Sequence, residues 1–500
     1  MGALPQALSR SACAFVRAES INFSDHHTIL QYSSLQNRSL FYTYLLQAPM
    51  SLWKCITTEG LHQISDAEAV RLFGTSFQTE LDHLKHANTT VEAGMKEAAG
   101  SLGNGKQTPS RFLFGNDFDE VNRTLVSMLA LRWVLADDYS SFIAGQAGSS
   151  RQQKLTRESF RHLRQYFSQR LPDNDSIYAL LVATVIDDIG KDPRLADILA
   201  KKRNNGSAAS DYHHANHSEI VLESAKAGII PALENLSSPT NRAAILQSLE
   251  IGGKLNVAQL VQGEDAPASL AILRTIAYGP GFHMRAMVTI LDVAGAGAHR
   301  DARGCIVMTE SVYQAYMSTI EIMEGFINGS IPSERECYDR VLRARGETLH
   351  KKGFDHLSTE SDEERALLRL LCMGRVDTKE LADCFRSAFM DIPPISRKDL
   401  VQGMSVDGLG DGVAIVPYYA PGLLAEVMRC AGKMDDDSDR RIKALSAFLQ
   451  FLARVFASSK RQLGTMGAVL ERDLSFAQDV IKSRHFVNDP SILMHVELPW

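Results

Sequence analysis

Apolar residues recur along this chain with the spacing of amphipathic α-helices, and this periodicity constrains the fold more than any other feature. Residues 309–327 place a series of apolar side chains on one helical face, and residues 439–458 repeat the pattern. Strand patterns are few, and the run Val413 to Tyr419 is interrupted by Pro417, which confines such a run to a sheet edge or a loop. The sequence therefore predicts a mainly α fold.

Composition indicates a globular protein with reduced thiols. The 500 residues are 45% hydrophobic and 22% charged, which excludes a disordered or collagen-like chain. The 53 basic and 59 acidic residues give a net charge of −6, so any polyanion site must be a local patch. Seven dispersed cysteines without a CxxC motif are typical of the cytosol. No apolar stretch is long enough to cross a bilayer, and we expect a soluble cytoplasmic protein.

Loop-rich stretches near residues 100 and 330 indicate three regions. We expect an N-terminal region at 1–100, a helical core at 101–330 that carries acidic and histidine clusters, and a C-terminal helical region at 331–500.

Two adjacent acidic residues end an apolar helical segment. Asp187 and Asp188 follow this segment directly, and Gly190 and Pro193 stop the helix just beyond them. Both burial and the negative end of the helix dipole disfavour carboxylates at such a position. The sequence therefore predicts a compensating cation, which is a metal, a basic side chain or a cationic substrate. A simple ion pair with Lys191 is the structural alternative.

Two further positions combine chemistry with helical spacing. His213 and His217 lie one helical turn apart in a histidine cluster and are able to share a metal if that segment is helical. Asp292 follows directly on an apolar run, and the small residues after it allow close helix packing. An exposed histidine loop and a buried helix-capping Asp are the ordinary alternatives.

A basic stripe follows residue 149. Steps of three, three, four and three residues place five cations on one face of a continuous helix: Arg151, Lys154, Arg157, Arg161 and Arg164. Such a stripe in an acidic protein is typical of a polyanion contact, although many charge runs are only solvated surfaces.

The frame from Asp187 to Lys191 resembles the HDxGK motif of the HD-domain superfamily of metal-dependent phosphohydrolases and its di-iron oxygenase branch, with Asp187 at the ligand histidine. This resemblance covers roughly residues 80–300. It implies a multi-helix HD-like core with an additional C-terminal helical region. It also implies divalent Fe, Mn or Mg on candidate ligands His83, His86, Asp188, His217 and Asp292.

Over most of its length the chain also resembles the fungal arginine-containing cyclodipeptide synthases. The segments that carry this resemblance are Gly253 to Asn256, Met308 to Tyr316 and Asp411 to Ile415. The DDxxE motif of that family corresponds to Asp187 and Asp188, with Lys191 in place of the glutamate. The resemblance implies a tRNA-dependent synthase of secondary metabolism that forms an arginine-containing diketopiperazine without a cofactor.

The synthase hypothesis gives each cluster a role. Its partners are aminoacyl-tRNAs, including arginyl-tRNA, and downstream biosynthetic enzymes, with no membrane. The basic stripe would bind tRNA phosphates, and buried carboxylates would bind a guanidinium. The candidate catalytic residues are Asp187, Asp188, Asp292 and His217. A metal-dependent HD enzyme and a non-catalytic scaffold on a decayed HD fold are the alternative hypotheses.

Overall fold

A computed structural model describes residues 51–87, 107–146, 154–203, 217–276, 278–431, 438–459 and 468–500. Regular structure in these ranges is almost entirely helical, which confirms the predicted mainly α class. The N-terminal half contains the following α-helices: α1 (Leu52–Thr58), α2 (Asp66–Ser76), α3 (Gln78–Lys85), α4 (Pro109–Phe114), α5 (Asp119–Leu135), α6 (Tyr139–Ile143), α7 (Arg157–Arg170), α8 (Asn174–Ile186), α9 (Pro193–Arg203), α10 (His217–Lys226), α11 (Pro231–Glu234) and α12 (Pro239–Gly252).

The remaining elements include one short sheet. The helices are α13 (Val257–Val261), α14 (Ile272–Thr275), α15 (Pro280–Gly295), α16 (Glu310–Ile327), α17 (Glu334–His350), α18 (Asp362–Met373), α19 (Lys379–Asp391), α20 (Pro394–Ser405), α21 (Ala420–Ala431), α22 (Ser438–Ser459), α23 (Gln478–Lys482) and α24 (Arg484–Asn488). Strands β1 (Ala414–Val416) and β2 (Val469–Glu471) pair in parallel, with Ala414 opposite Val469 and Val416 opposite Glu471.

Helix α15 is the central element of the group of helices that surrounds the end of α8. It is apolar on most of its circumference and packs against α5, α8 and α12. Close packing depends on Gly295, because a Cβ atom there would lie only 2.3 Å from the carbonyl oxygen of Arg123 on α5. This confirms the prediction that small residues after Asp292 allow helices to approach closely.

In the second half, α22 packs against α19, α20 and α21. Residues Ser51–Trp500 form one compact unit. The boundary expected at residue 330 therefore lies inside a single unit, and the boundary expected at 100 lies outside the described residues. No helix in the described ranges combines the length and the apolar character that a membrane crossing requires.

Two buried arginines of α18 join α17, α20 and the segment after α13. Arg365 donates to Asp339 at 2.7 Å and to Asp407 at 3.0 Å. Arg369 donates to the carbonyl oxygens of Gly263 at 3.1 Å, Asp265 at 2.9 Å and Met404 at 2.6 Å. Both side chains are about 1% exposed. Their hydrogen bonds hold the segment after α13 against α18 and α20.

We predict that Arg369→Leu lowers the free energy of unfolding by about 3 kcal/mol, because it leaves several buried carbonyl oxygens without donors. Arg484 is exposed on α24, and Arg484→Leu is the matched control, with an expected change of at most about 0.5 kcal/mol. Urea denaturation followed by circular dichroism measures both variants. Equal stability of the two variants would contradict the structural role of Arg369.

Candidate functional site

The candidate site begins where α8 ends. An Asp173 capping box starts this helix, and the residues from Ala179 to Ile186 are buried. Asp187 is the C-cap residue, and Asp188 follows it before the 3₁₀ turn Ile189–Lys191. The structure thus places both carboxylates at the C-terminal end of a buried helix, as the sequence predicts.

Asp187 is compensated by a cation of the protein itself. Arg285 on α15 contacts Asp187 through two bonds, from Nη1 to Oδ1 at 2.7 Å and from Nη2 to Oδ2 at 3.4 Å. Gly252 at the end of α12 leaves room for this guanidinium, since a Cβ atom there would lie 2.7 Å from Nη1 of Arg285. Asp187 is therefore already paired and is not free to bind a substrate cation.

A chain of ion pairs connects Asp188 to Asp292. Lys191 Nζ lies 2.9 Å from Oδ2 of Asp188 and 3.4 Å from Oε1 of Glu120. Glu120 Oε1 also accepts from Nη1 of Arg123 at 2.7 Å, and Nη2 of Arg123 lies 3.6 Å from Oδ1 of Asp292. We call this chain, together with Asp187, Arg285 and His217, the charge network.

His217 is the first residue of α10, and its Nε2 lies 3.7 Å from Oδ1 of Asp188. Gly190 makes this approach possible, because a Cβ atom on it would lie 2.1 Å from the carbonyl oxygen of His217. Close packing against His217 therefore explains why a glycine occupies position 190 between Asp187 and Lys191. Residues 204–216, which include His213, lie outside the described residues.

The acids of the charge network differ in the direction of their pKa shifts. Burial opposes ionisation of Asp188, but Lys191, Arg123 and His217 hold its pKa well below the usual range. For Asp292 burial outweighs Arg123, and the charge of Asp188 adds to it, so the pKa rises to about 6. Burial lowers the pKa of His217, which favours the neutral imidazole. Asp292 and His217 are therefore the members that are suited to proton transfer near neutral pH.

Each of these two residues lines a different cavity. Asp292 lies in the wall of a cavity of about 190 Å³ with Tyr316 and Arg345, which we call the Asp292 cavity. His217 lines a cavity of about 760 Å³ that reaches the two strands, which we call the His217 cavity. Helix α13 contributes residues to both walls. The charge network therefore ends in two separate spaces.

The proposed metal ligands do not form a metal site. His83 Nδ1 hydrogen-bonds Oδ2 of Asp192 at 2.7 Å, and His86 Nδ1 lies 2.9 Å from the carbonyl oxygen of Asp82. In the described ranges, no three or more His, Cys, Asp or Glu side chains are arranged to hold a metal ion. Asp188 contacts Lys191 instead. The set of side chains that the HD resemblance implies therefore does not fit Fe, Mn or Mg.

The basic stripe is shorter than the sequence predicts. Helix α7 begins at Arg157, because the Thr156 side chain caps it by accepting from the backbone N–H of Ser159. Lys154 precedes the helix, and Arg151 lies outside the described residues. The expectation of five cations on one continuous helical face is therefore wrong, and only three of them belong to α7.

Two of these three cations are available to a partner. Arg157 pairs with Asp137 at 2.9 Å, and its guanidinium lies 5.2 Å from the ring centroid of Tyr139. Arg161 and Arg164 are exposed, and neither forms an ion pair with any residue in the described ranges.

Sequence reasoning missed three members of the charge network: Glu120, Arg123 and Arg285. A signal was present only for Arg285, which lies in the largely apolar run that leads to Asp292, whereas Glu120 and Arg123 have polar neighbours at the start of α5. Arg285 also lies seven positions before Asp292, so the two share one face of α15.

Asp292 gives the fold a specific pH dependence. Its pKa of about 6 exceeds the unfolded value of about 3.9, so its stabilising contribution is present at low pH and is lost as the pH rises through 6. Asp292→Asn stays neutral. We therefore predict that the Tm of the variant, relative to wild type, increases from about pH 4 to about pH 7. Calorimetry across this range measures the difference, and a constant difference would contradict the assignment.

Comparison with known proteins gives a family but no described activity. Neither the curated proteins nor the solved structures gave a match. One family model matches residues 70–493, which include every described member of the charge network and both cavities. The chain therefore belongs to DUF6829, a family of unknown function.

Proposed function

We propose that this protein is a tRNA-dependent cyclodipeptide synthase that forms an arginine-containing diketopiperazine from aminoacyl-tRNAs. The observation that carries the proposal is Asp292, a carboxyl with a pKa of about 6 in the wall of a cavity. Aminoacyl esters are already activated, so the enzyme needs to position an amine and remove its proton. Asp292 is suited to that proton transfer.

The reaction balances with the groups of the charge network. The amine nitrogen of one aminoacyl group attacks the ester carbonyl carbon of the other and forms an amide bond. The ester C–O bond breaks, and Asp292 takes the proton that the amine loses and passes it to the leaving ribose oxygen of the tRNA, which returns Asp292 to its starting state. A second attack of the same kind closes the ring and releases the second tRNA. His217 lines the His217 cavity and is the proposed acid–base group for a proton transfer in that cavity.

In this proposal Asp187 and Asp188 are positioning residues. Asp187 holds Arg285, and Asp188 holds Lys191 and contacts His217. The charge of Asp188 also raises the pKa of Asp292. Their sequence-based role in binding the substrate guanidinium is therefore replaced by an electrostatic one.

The exposed cations of α7 support a tRNA partner. Arg161 and Arg164 occupy adjacent turns and are not neutralised by any described residue, so phosphate binding there would release counterions. The proposed reaction takes place in the cytoplasm, and its product would pass to downstream biosynthetic enzymes.

A non-catalytic scaffold is the competing class of protein. The role of the Asp292 carboxyl distinguishes the scaffold from the synthase. A scaffold needs no titratable carboxyl in a cavity, and such a carboxyl weakens the fold at neutral pH.

The decisive experiment is the small-molecule profile of a host that expresses this chain alone. We expect a new arginine-containing diketopiperazine from wild type, and a decrease of about 100-fold or more in its formation with Asp292→Asn, because the proton acceptor is lost. Asp479, an exposed residue of α23, provides the control Asp479→Asn, which should match wild type. Absence of the product from wild type would overturn the function, and full activity of Asp292→Asn would overturn the role of Asp292.

A second prediction concerns RNA binding by α7. Arg161→Gln combined with Arg164→Gln should weaken tRNA binding and reduce the slope of log Kd against log salt by about 2, since two phosphate contacts are removed. Lys54 and Lys398 are exposed elsewhere, and Lys54→Gln with Lys398→Gln changes the net charge equally. Fluorescence anisotropy with labelled tRNA compares the two double variants. The same loss in both would show that only the net charge matters.

A further inference from the structure

The Asp292 cavity has a cationic side to which the proposed function gives no role. Arg345 of α17 and Arg375, which follows α18, line this cavity together with Asp292. Nη1 of Arg345 donates to the carbonyl oxygen of Val376 at 3.1 Å, so its guanidinium group lies against the turn that carries Arg375. Two arginines from different elements therefore meet at one cavity.

Neither arginine forms an ion pair with an acid in the described ranges. Arg375 donates to Oε1 of Gln262 at 3.1 Å. Arg345 contacts the carbonyl oxygen of Val376 and the side chain of Cys372. All of these partners are neutral, whereas the arginines of the charge network pair with carboxylates. A guanidinium group has five N–H donors, so both side chains retain donors for a ligand.

The acids near the cavity leave the charge of these two arginines unbalanced. Among the described residues that line the cavity, Asp292 is the only carboxylic acid, and its ion-pair partner is Arg123 at 3.6 Å. Glu264 lies within electrostatic range of Arg375, but burial raises the pKa of Glu264 well above its usual range, which favours its neutral form. The Arg345 and Arg375 side of the wall therefore carries positive charge that these acids do not neutralise.

The rest of the wall restricts the kind of ligand. The hydroxyl group of Tyr316 lies within electrostatic range of both Arg375 and Asp292, so the basic and acidic parts of the wall are close to each other. The cavity has a volume of about 190 Å³, and its other lining residues include the apolar side chains of Val293, Val307 and Val312. The cavity therefore suits a small ligand group with an apolar body and one anionic end.

The shape of the guanidinium group selects the class of anion. Its planar set of N–H donors matches two oxygen atoms of one phosphate or carboxylate group, which a lysine ammonium group does not. Arg345 also lines a neighbouring cavity of about 390 Å³ between α16 and α17. The remainder of a larger ligand would have space there.

We propose that Arg345 and Arg375 bind an oxyanion, either a phosphate ester or a carboxylate, in the wall of the Asp292 cavity. The oxygen atoms of the ligand accept hydrogen bonds from the two guanidinium groups, and its apolar part lies against the valines of the wall. In the proposed function this oxyanion is a phosphate group at the 3′ end of the tRNA, and that link alone rests on the proposed function.

Binding of small aromatic anions tests the site without any turnover. Isothermal titration calorimetry of the full-length chain with phenyl phosphate and with benzoate should give saturable binding of at least one of them. Arg375 is exposed, so Arg375→Gln should fold normally and weaken this binding by about tenfold or more. Arg345→Gln should act in the same direction. Arg484→Gln on α24 removes an exposed arginine elsewhere and should bind as wild type does.

A variant of Asp292 tests whether the oxyanion lies inside the cavity. The pKa of Asp292 is about 6, so its carboxylate is largely ionised at about pH 7.5 and repels an anion in the same wall. We therefore expect Asp292→Asn to bind phenyl phosphate about threefold more tightly or better. Asp479→Asn, at an exposed position of α23, should match wild type. Unchanged binding by Asp292→Asn would overturn the site.

The remaining outcomes separate the site from the function. No saturable binding of either anion, or equal binding by wild type and both arginine variants, would overturn the site. Tighter binding of phenyl phosphate supports a phosphate ester as the ligand group, and tighter binding of benzoate supports a carboxylate and overturns the link to tRNA. Oxyanion binding by a protein that forms no diketopiperazine would overturn only the proposed function. Diketopiperazine formation by a protein that binds neither anion would overturn only the oxyanion site.

Discussion

Compensation of the carboxylates at the end of α8 constrains the arrangement of the surrounding helices. Asp187 and Asp188 lie where burial and the helix dipole both oppose negative charge. Their compensating cations come from different elements, with Arg285 on α15 and Lys191 on the 3₁₀ turn. The helices must therefore approach closely, and glycines at the contacts, such as Gly252, provide the room. The packing of the core and the electrostatics of the site follow from the same contacts.

The cations do not balance all of the carboxylates, and the excess negative charge has chemical consequences. Four carboxylates face three permanent cations in the charge network: Glu120, Asp187, Asp188 and Asp292 against Arg123, Lys191 and Arg285. Asp292, whose side chain lines a cavity, is the acid with the raised pKa. Excess negative charge beside a cavity weakens the fold near neutral pH, and such local cost is typical of functional positions.

The buried polar groups differ in how fully their hydrogen bonds are satisfied. Arg365 and Arg369 direct their hydrogen bonds at carboxylates and backbone carbonyl oxygens of neighbouring elements. In the charge network, by contrast, Oε2 of Glu120 and Nε of Arg123 are buried without a hydrogen-bond partner among the described residues. Satisfied networks rigidify a fold, whereas buried polar atoms without a partner cost free energy.

The sequence by itself determined the features that depend on neighbouring residues. Helical periodicity, the end of α8 at Asp187 and the close packing after Asp292 follow from local spacing and were predicted correctly. The predicted basic stripe is too long, because the Thr156 cap starts α7 later than the charge spacing suggests. Only the tertiary structure decided that Arg285, 98 positions from Asp187, is its partner. The physical reason is that periodicity and capping act within a few residues, whereas buried charges pair according to the packing of helices that are distant in sequence.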